Sequence, residues 1–162
     1  YQVYRSTKKD GDYQNIKTID SVGTSSWTDS SVKTGKTYYY KIKVVVKTQN
    51  GNQTSGFSNV KSAKAVPAKT TLKAKASNAK NVKLTWSKVK GANGYEIYRS
   101  NSKDGKYQKV KTISKGGTTS YKDGKLKKST TYYYKIRAYR KVDRKKVYGS
   151  YSSVVSVKTK AK

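Results

Sequence analysis

The sequence predicts an all-β protein of two tandem β-sandwiches, the first lacking its strands A and B. Three observations carry that expectation. Offsetting the 162-residue chain by 94 residues aligns YQVYRSTKKDGDYQNIKTI with YEIYRSNSKDGKYQKVKTI, and TYYYKIK with TYYYKIR, without a gap. Roughly two-fifths of the aligned positions match, which marks a tandem duplication. Short runs rich in Val, Ile, Tyr and Thr are separated by Gly, Asn, Asp and Ser turns, the spacing of a sandwich rather than of βαβ units. No helical period competes with the two-residue alternation.

The gapless match pairs residues 1–65 with residues 95–159, so residues 66–94 have no earlier counterpart. The chain therefore divides into an N-terminally truncated domain, 1–65, and a complete one, 66–162. A period near 94 is too long for a solenoid unit and close to the roughly 100 residues of an immunoglobulin-like sandwich. In the complete domain seven strands are expected, near residues 71–76, 81–87, 94–100, 106–113, 118–122, 131–141 and 151–159.

In the second of these, Val82, Leu84 and Trp86 alternate, so Trp86 is expected as a core plug rather than a flat platform for sugar stacking. Between the third and fourth, Lys103-Asp104-Gly105, like Lys9-Asp10-Gly11, supplies the Asp and positive-φ Gly of a tight hairpin. Asp123 follows Tyr121 as Asp29 follows Trp27, and both are expected to serve turns. In TYYYKIRAY, alternation puts Tyr132, Tyr134, Ile136 and Ala138 on the core face and Tyr133, Lys135, Arg137 and Tyr139 on the outer one. The outward aromatics Tyr98, Tyr133 and Tyr139 are candidates for ligand contact, although such residues commonly pair across strands and cover the sheet.

Trp86 in NVKLTWSKV, GYEIYRS, TSYKD, and the spacing from Leu126 through LKKSTTY to Tyr132 together resemble tandem fibronectin type III domains of exported proteins of Gram-positive bacteria. The resemblance spans essentially the whole chain. It implies that Leu126 plugs the core and that Tyr132 makes a corner hydrogen bond. The sequence departs from the family at Lys128, where Pro is usual, and at Ser129, where Gly is frequent, as Gly35 is in the first domain. The loop after TYYYKIRAY lacks the Arg-Gly-Asp tripeptide of some animal members, so integrin adhesion by that route is unsupported.

Composition narrows the chemistry. The chain has no His, Cys or Met, which removes the usual proton shuttle, the thiol nucleophile and the commonest metal ligands. Its eight acids are scattered, no Ser sits in a nucleophile elbow and no Gly-rich phosphate loop precedes a helix. Asp10-Gly11-Asp12 has the look of a calcium pair, but Lys106 replaces the second Asp in the repeat. We expect a non-enzyme without metal or cofactor. The longest aliphatic run, Val44–Val46, is far below the roughly 20 residues of a membrane helix, so no membrane insertion is expected. The opening YQVYRSTKKD lacks the order of a signal peptide, so an export signal lies upstream or does not exist. Absence of Cys fits the cytosol and also exported bacterial proteins, and the family resemblance implies a secreted or cell-wall-associated location.

Charge is the strongest signal beyond fold. Lys plus Arg number 38 against 8 acids, a net charge of +30. Residues 1–65 carry 11 basic and 4 acidic residues, net +7, and residues 66–162 carry 27 and 4, net +23. Two readings stay open: a lysine-rich surface that serves solubility, or a polyanion partner such as teichoic acid, anionic polysaccharide or host glycan. Only five of the 38 cations are Arg, the side chain that reads bases with a planar fork, so sequence-specific nucleic-acid binding is not expected. The densest candidate patch is Lys135 and Arg137 on the outer face, continuing through Arg140, Lys141, Arg144, Lys145 and Lys146 into the next loop.

These features predict non-catalytic spacer or stalk modules of a bacterial extracellular or surface protein. The alternatives are a binding module for anionic wall polymer or host glycan, or accessory modules of a secreted glycan- or peptide-cleaving enzyme. Because Tyr1 aligns with Tyr95, the chain is expected to start in mid-domain. On that expectation upstream domains of the same protein, or a strand donated by another chain, cover the apolar face formed by Tyr40, Ile42 and Val44.

Overall fold

The structure is a computed structural model describing residues 1–162. It contains two compact units, Tyr1–Ala65 and Val66–Lys162. The first contains β1 (Gln2–Ser6), β2 (Gln14–Thr18), β3 (Thr37–Lys43), β4 (Val45–Thr48), β5 (Gly51–Thr54) and β6 (Lys61–Lys64). Four of them form an antiparallel sheet in the order β2-β1-β3-β6, and β4 and β5 form a separate hairpin.

The second unit contains β7 (Leu72–Asn78), β8 (Asn81–Trp86), β9 (Gly94–Ser100), β10 (Gln108–Ile113), β11 (Ser120–Asp123), β12 (Thr131–Val142), β13 (Lys145–Tyr148) and β14 (Val155–Lys158). One sheet runs β11-β8-β7; the other runs β10-β9-β12-β13, with β14 paired to the first part of β12. The two sheets enclose one core. Val82, Leu84 and Trp86 of β8 join Tyr95 and Ile97 of β9 and Tyr134, Ile136 and Ala138 of β12, all buried. Trp86 is only 6% exposed, with its ring 5.4 Å from that of Tyr95, which makes it a core plug and excludes the sugar platform. Leu126 is buried, and Tyr132 Oη accepts the backbone N–H of Lys127 at 3.0 Å, the corner bond the resemblance implied. Tyr38 Oη accepts from Lys33 in the same way.

Several expectations need correction. The last strand is not continuous from residue 151 to 159. Asp143 and Arg144, at φ 48° and 64°, form a two-residue turn, and the residues after it return as β13 instead of entering a loop. Two consecutive positive φ values match the right-handed twist of a hairpin, but the sequence lacks the Asn-Gly that usually announces one. Gly11 and Gly105 do not have positive φ; at each a Cβ would stand 3.0–3.1 Å from neighbouring side chains, Lys8 and Ser6 or Ser102 and Ser100, which would have to give way to it. Asp123 is not a turn residue: it ends β11, is buried, and accepts Arg99 Nη1 and Tyr134 Oη, both at 2.8 Å, tying one sheet to the other. Asp29 accepts Arg5 and Tyr40 in the same arrangement and also closes a turn by accepting from Ser31.

Candidate functional site

The outer face of β9, β12 and β13 gathers most of the chemistry of the second unit. Register places Arg137 opposite Glu96, Lys135 opposite Tyr98, and Lys141 opposite Lys146. Glu96, the chain's one glutamate, is 1% exposed at the centre. Its Oε2 accepts Arg137 Nη2 at 2.9 Å and Tyr98 Oη at 2.9 Å; its Oε1 accepts Lys146 Nζ at 3.0 Å and Tyr148 Oη at 3.1 Å. Lys109 Nζ stands 3.7 Å from the same Oε1. Burial alone pushes the carboxyl upward, but the hydrogen bonds from Arg137, Lys146, Tyr98 and Tyr148 outweigh it and hold the group down at about 2. Burial, the hydrogen bond with Tyr151 and the one that Tyr98 donates to Glu96 drive its hydroxyl well above the usual tyrosine range. Glu96 is thus a saturated anion, not a proton acceptor.

Aromatic rings hold the cations in place. The Arg137 guanidinium lies 3.7 Å from the Tyr148 ring centroid and 4.9 Å from that of Tyr151. Lys135 Nζ sits between Tyr107 and Tyr151, at 4.3 and 4.5 Å from their centroids, and Lys146 Nζ is 4.5 Å from that of Tyr139. Each such contact contributes on the order of 0.5–1 kcal/mol at a partly exposed site. Tyr139 itself is not available to a ligand. It is 1% exposed because its partner across the ladder is Gly94, over whose bare backbone the phenol lies; a Cβ there would stand 2.6 Å from Tyr139 Oη. Tyr98 and Tyr133 are half-buried.

The seven candidate cations fall into two groups. Lys135, Arg137 and Lys146 are half-buried and engaged with rings or with Glu96. Arg140, Lys141, Arg144 and Lys145 are exposed around the β12–β13 turn, and none of the chain's ion pairs involves them. Arg140 lies against Gly91 and projects from the face opposite to Arg137. Lys141 is anchored through its backbone N–H, which donates to Asn93 Oδ1 at 2.7 Å. The sequence grouped these seven cations as one patch and missed Glu96, although a lone glutamate in outward register among basic residues was a usable signal.

This arrangement stabilises a sheet surface and leaves a basic hairpin tip free. The fold is that of the fibronectin type III, immunoglobulin-like sandwich. The FN1–FN3 domains of chicken CNTN1 match at TM-score 0.51 and 21% identity, covering 98% of this chain, which spans 55% of the length of that structure. The sixth fibronectin type III domain of human fibronectin type III domain containing protein 3 matches at TM-score 0.50 and 18% identity over 62% of this chain and 92% of that one. An Fn3-like protein from Clostridium thermocellum is 28% identical over 57% of this chain and 88% of its own, at a TM-score of 0.44. No protein-family model and no curated protein matches the sequence. The structure has no helix long and apolar enough to cross a membrane.

Proposed function

We propose that the two units are non-catalytic spacer modules of a bacterial extracellular or surface protein. Fibronectin type III domains are commonly non-catalytic modules, and the observation that carries the proposal is the joint. Ala65 is bound into the first unit by Gly35 N–H to Ala65 O at 2.8 Å and Ala65 N–H to Lys36 O at 2.9 Å. Pro67 is buried in the second unit, where Gly149 leaves room for its carbonyl. Only Val66 lies between these anchors, so the connector is short and carries Pro67 rather than a Gly/Ser run. With no native Cys, spin labels on Lys17→Cys and Lys83→Cys attach nowhere else. A spacer gives a narrow distribution of distances between them; a broad, linker-like distribution contradicts the proposal.

A second reading rests on the free cations at the β12–β13 tip. Arg140, Lys141, Arg144 and Lys145 face solvent without acidic partners, and an anionic wall polymer is the complementary ligand. Neutralising these four should weaken retention on teichoic acid at low salt more than neutralising Lys73, Lys75, Lys83 and Lys88 does. Equal losses mean that the charge is diffuse and that no site exists.

A further inference from the structure

The chain contains two Asn-Gly pairs, Asn50-Gly51 and Asn93-Gly94, which are chemically alike and structurally opposite. From this contrast we infer that Asn50 is a site of spontaneous, fold-selected deamidation and that Asn93 is not. In the reaction the backbone nitrogen of the following Gly attacks the Asn Cγ. The new C–N bond closes a five-membered succinimide, and the side-chain amide leaves as ammonia, carrying the proton lost by the attacking nitrogen. Water then opens the ring at either carbonyl, giving Asp or an isoaspartyl linkage. No oxidant, metal or other protein is required. The rate depends on access of the Gly nitrogen to Cγ and on freedom of the local backbone to rotate.

Asn50 has the access, and its one backbone restraint is the isolated β4–β5 hairpin, whose Thr48–Gly51 pair holds the attacking residue. Asn50 is exposed in the turn between β4 and β5, a two-stranded hairpin outside the main sheet of its unit. Gly51, at φ 103°, has no atom within 4 Å of where a Cβ would stand, so the ring and its attacking water have space. The side-chain hydrogen bond at this turn runs from Thr48 Oγ1 to Gly51 O, 2.7 Å, and leaves the Asn50 amide uninvolved.

Asn93 is exposed as well, but it is held at three points. Its Oδ1 accepts the Lys141 N–H at 2.7 Å, and its own N–H donates to Tyr139 O at 2.9 Å. Gly94 is buried as the first residue of β9, under the Tyr139 phenol and against Ile113 O. Ring closure there requires opening of the β9–β12 ladder, and each 1.4 kcal/mol of opening free energy slows it about tenfold.

The consequence is local to the first unit. Deamidation puts a carboxylate at the tip of the β4–β5 hairpin, and the isoaspartyl form lengthens the backbone by one methylene next to the Thr48–Gly51 pair that closes it. The equivalent turn of the second unit is Asp143-Arg144, which has no amide to lose.

The test is incubation of the intact chain at mildly alkaline pH in water enriched in oxygen-18, followed by peptide mapping with tandem mass spectrometry. The expected result is loss of the Asn50 amide at least about tenfold faster than that of Asn93, with label incorporated and isoaspartate among the products. In denaturant the two rates should converge, because only the fold separates them. Equal rates in the native chain, faster loss at Asn93, or a rate ratio that persists in denaturant would each overturn the inference.

Discussion

Residues 1–65 and 95–159 are two copies of one sequence placed in different surroundings, and the difference shows which features are local. Ser120–Asp123 is a strand, hydrogen-bonded to β8. Its counterpart Ser26–Asp29, with the same terminal residues, is not a strand, and Trp27 is 38% exposed. Ile136 and Ala138 are buried, whereas the equivalent Ile42 and Val44 are 40% and 42% exposed. A β-ladder needs a partner edge, so the same segment is extended and paired in one unit and irregular in the other. By contrast, the Arg5–Asp29–Tyr40 and Arg99–Asp123–Tyr134 clips, the Tyr38 and Tyr132 corners, and the Lys41 and Lys135 aromatic clamps occur in both. Those devices need only single side chains that reach the sheet the two copies share, and none of them needs a ladder with β8.

The largest expected effect breaks this contrast from the core side. Trp86→Ala removes a buried ring of β8 and should cost the second unit roughly 3–5 kcal/mol in denaturant unfolding. The first unit, which has no counterpart of β8, should unfold as before. If both transitions move together, the units do not have separate cores.

Glu96 and its counterpart Gln2 sharpen the comparison on the outer face. Tyr4 Oη donates to Gln2 Oε1 at 2.9 Å just as Tyr98 does to Glu96, but no ion pair forms there. Holding Glu96 at about 2, below its ordinary 4.5, stabilises the folded second unit at neutral pH by up to roughly 3 kcal/mol. Because the folded value is the lower one, that contribution is complete above pH 4.5 and is lost as pH falls through about 2. Glu96→Gln should therefore destabilise the second unit at pH 7 and flatten this part of its acid-unfolding profile. An unchanged profile means that Arg137 and Lys146 derive nothing from the pair.

A smaller effect is expected at the corner. Ser129 holds φ 50° where the first unit has Gly35 at 92°. Left-handed backbone costs a non-glycine residue about 1–2 kcal/mol, offset in part by the greater freedom of glycine in the unfolded chain. Ser129→Gly should raise the stability of the second unit by roughly 0.5–1 kcal/mol, and Gly35→Ser should lower that of the first. Opposite signs would place the strain elsewhere.

Much of this was legible in the sequence, for identifiable reasons. Alternation alone assigned Val82, Leu84, Trp86, Tyr134 and Ile136 to the core, because a two-residue period leaves a strand only two faces. It could not show that Tyr139, on the outer face, is buried, since that depends on Gly94 lying opposite it. Asp123 looked like a turn residue because its partners Arg99 and Tyr134 are 24 and 11 residues away and meet it only across the sandwich. Lys145–Tyr148 looked like a loop because its turn, Asp143-Arg144, is an unfavourable one that the pairing with β12 imposes. Register decided Tyr139 and Lys145–Tyr148, and packing of one sheet on the other decided Asp123; the residues spell out neither.

Amide hydrogen exchange on the intact chain tests the central claim, that a partner strand rather than local sequence makes Ser120–Asp123 a strand. The amides of Tyr121 and Asp123, which face β8, should be protected to near the global stability of the second unit, and those of their counterparts Trp27 and Asp29 should exchange close to the rate of an unstructured peptide. Comparable protection of the two segments would contradict the account.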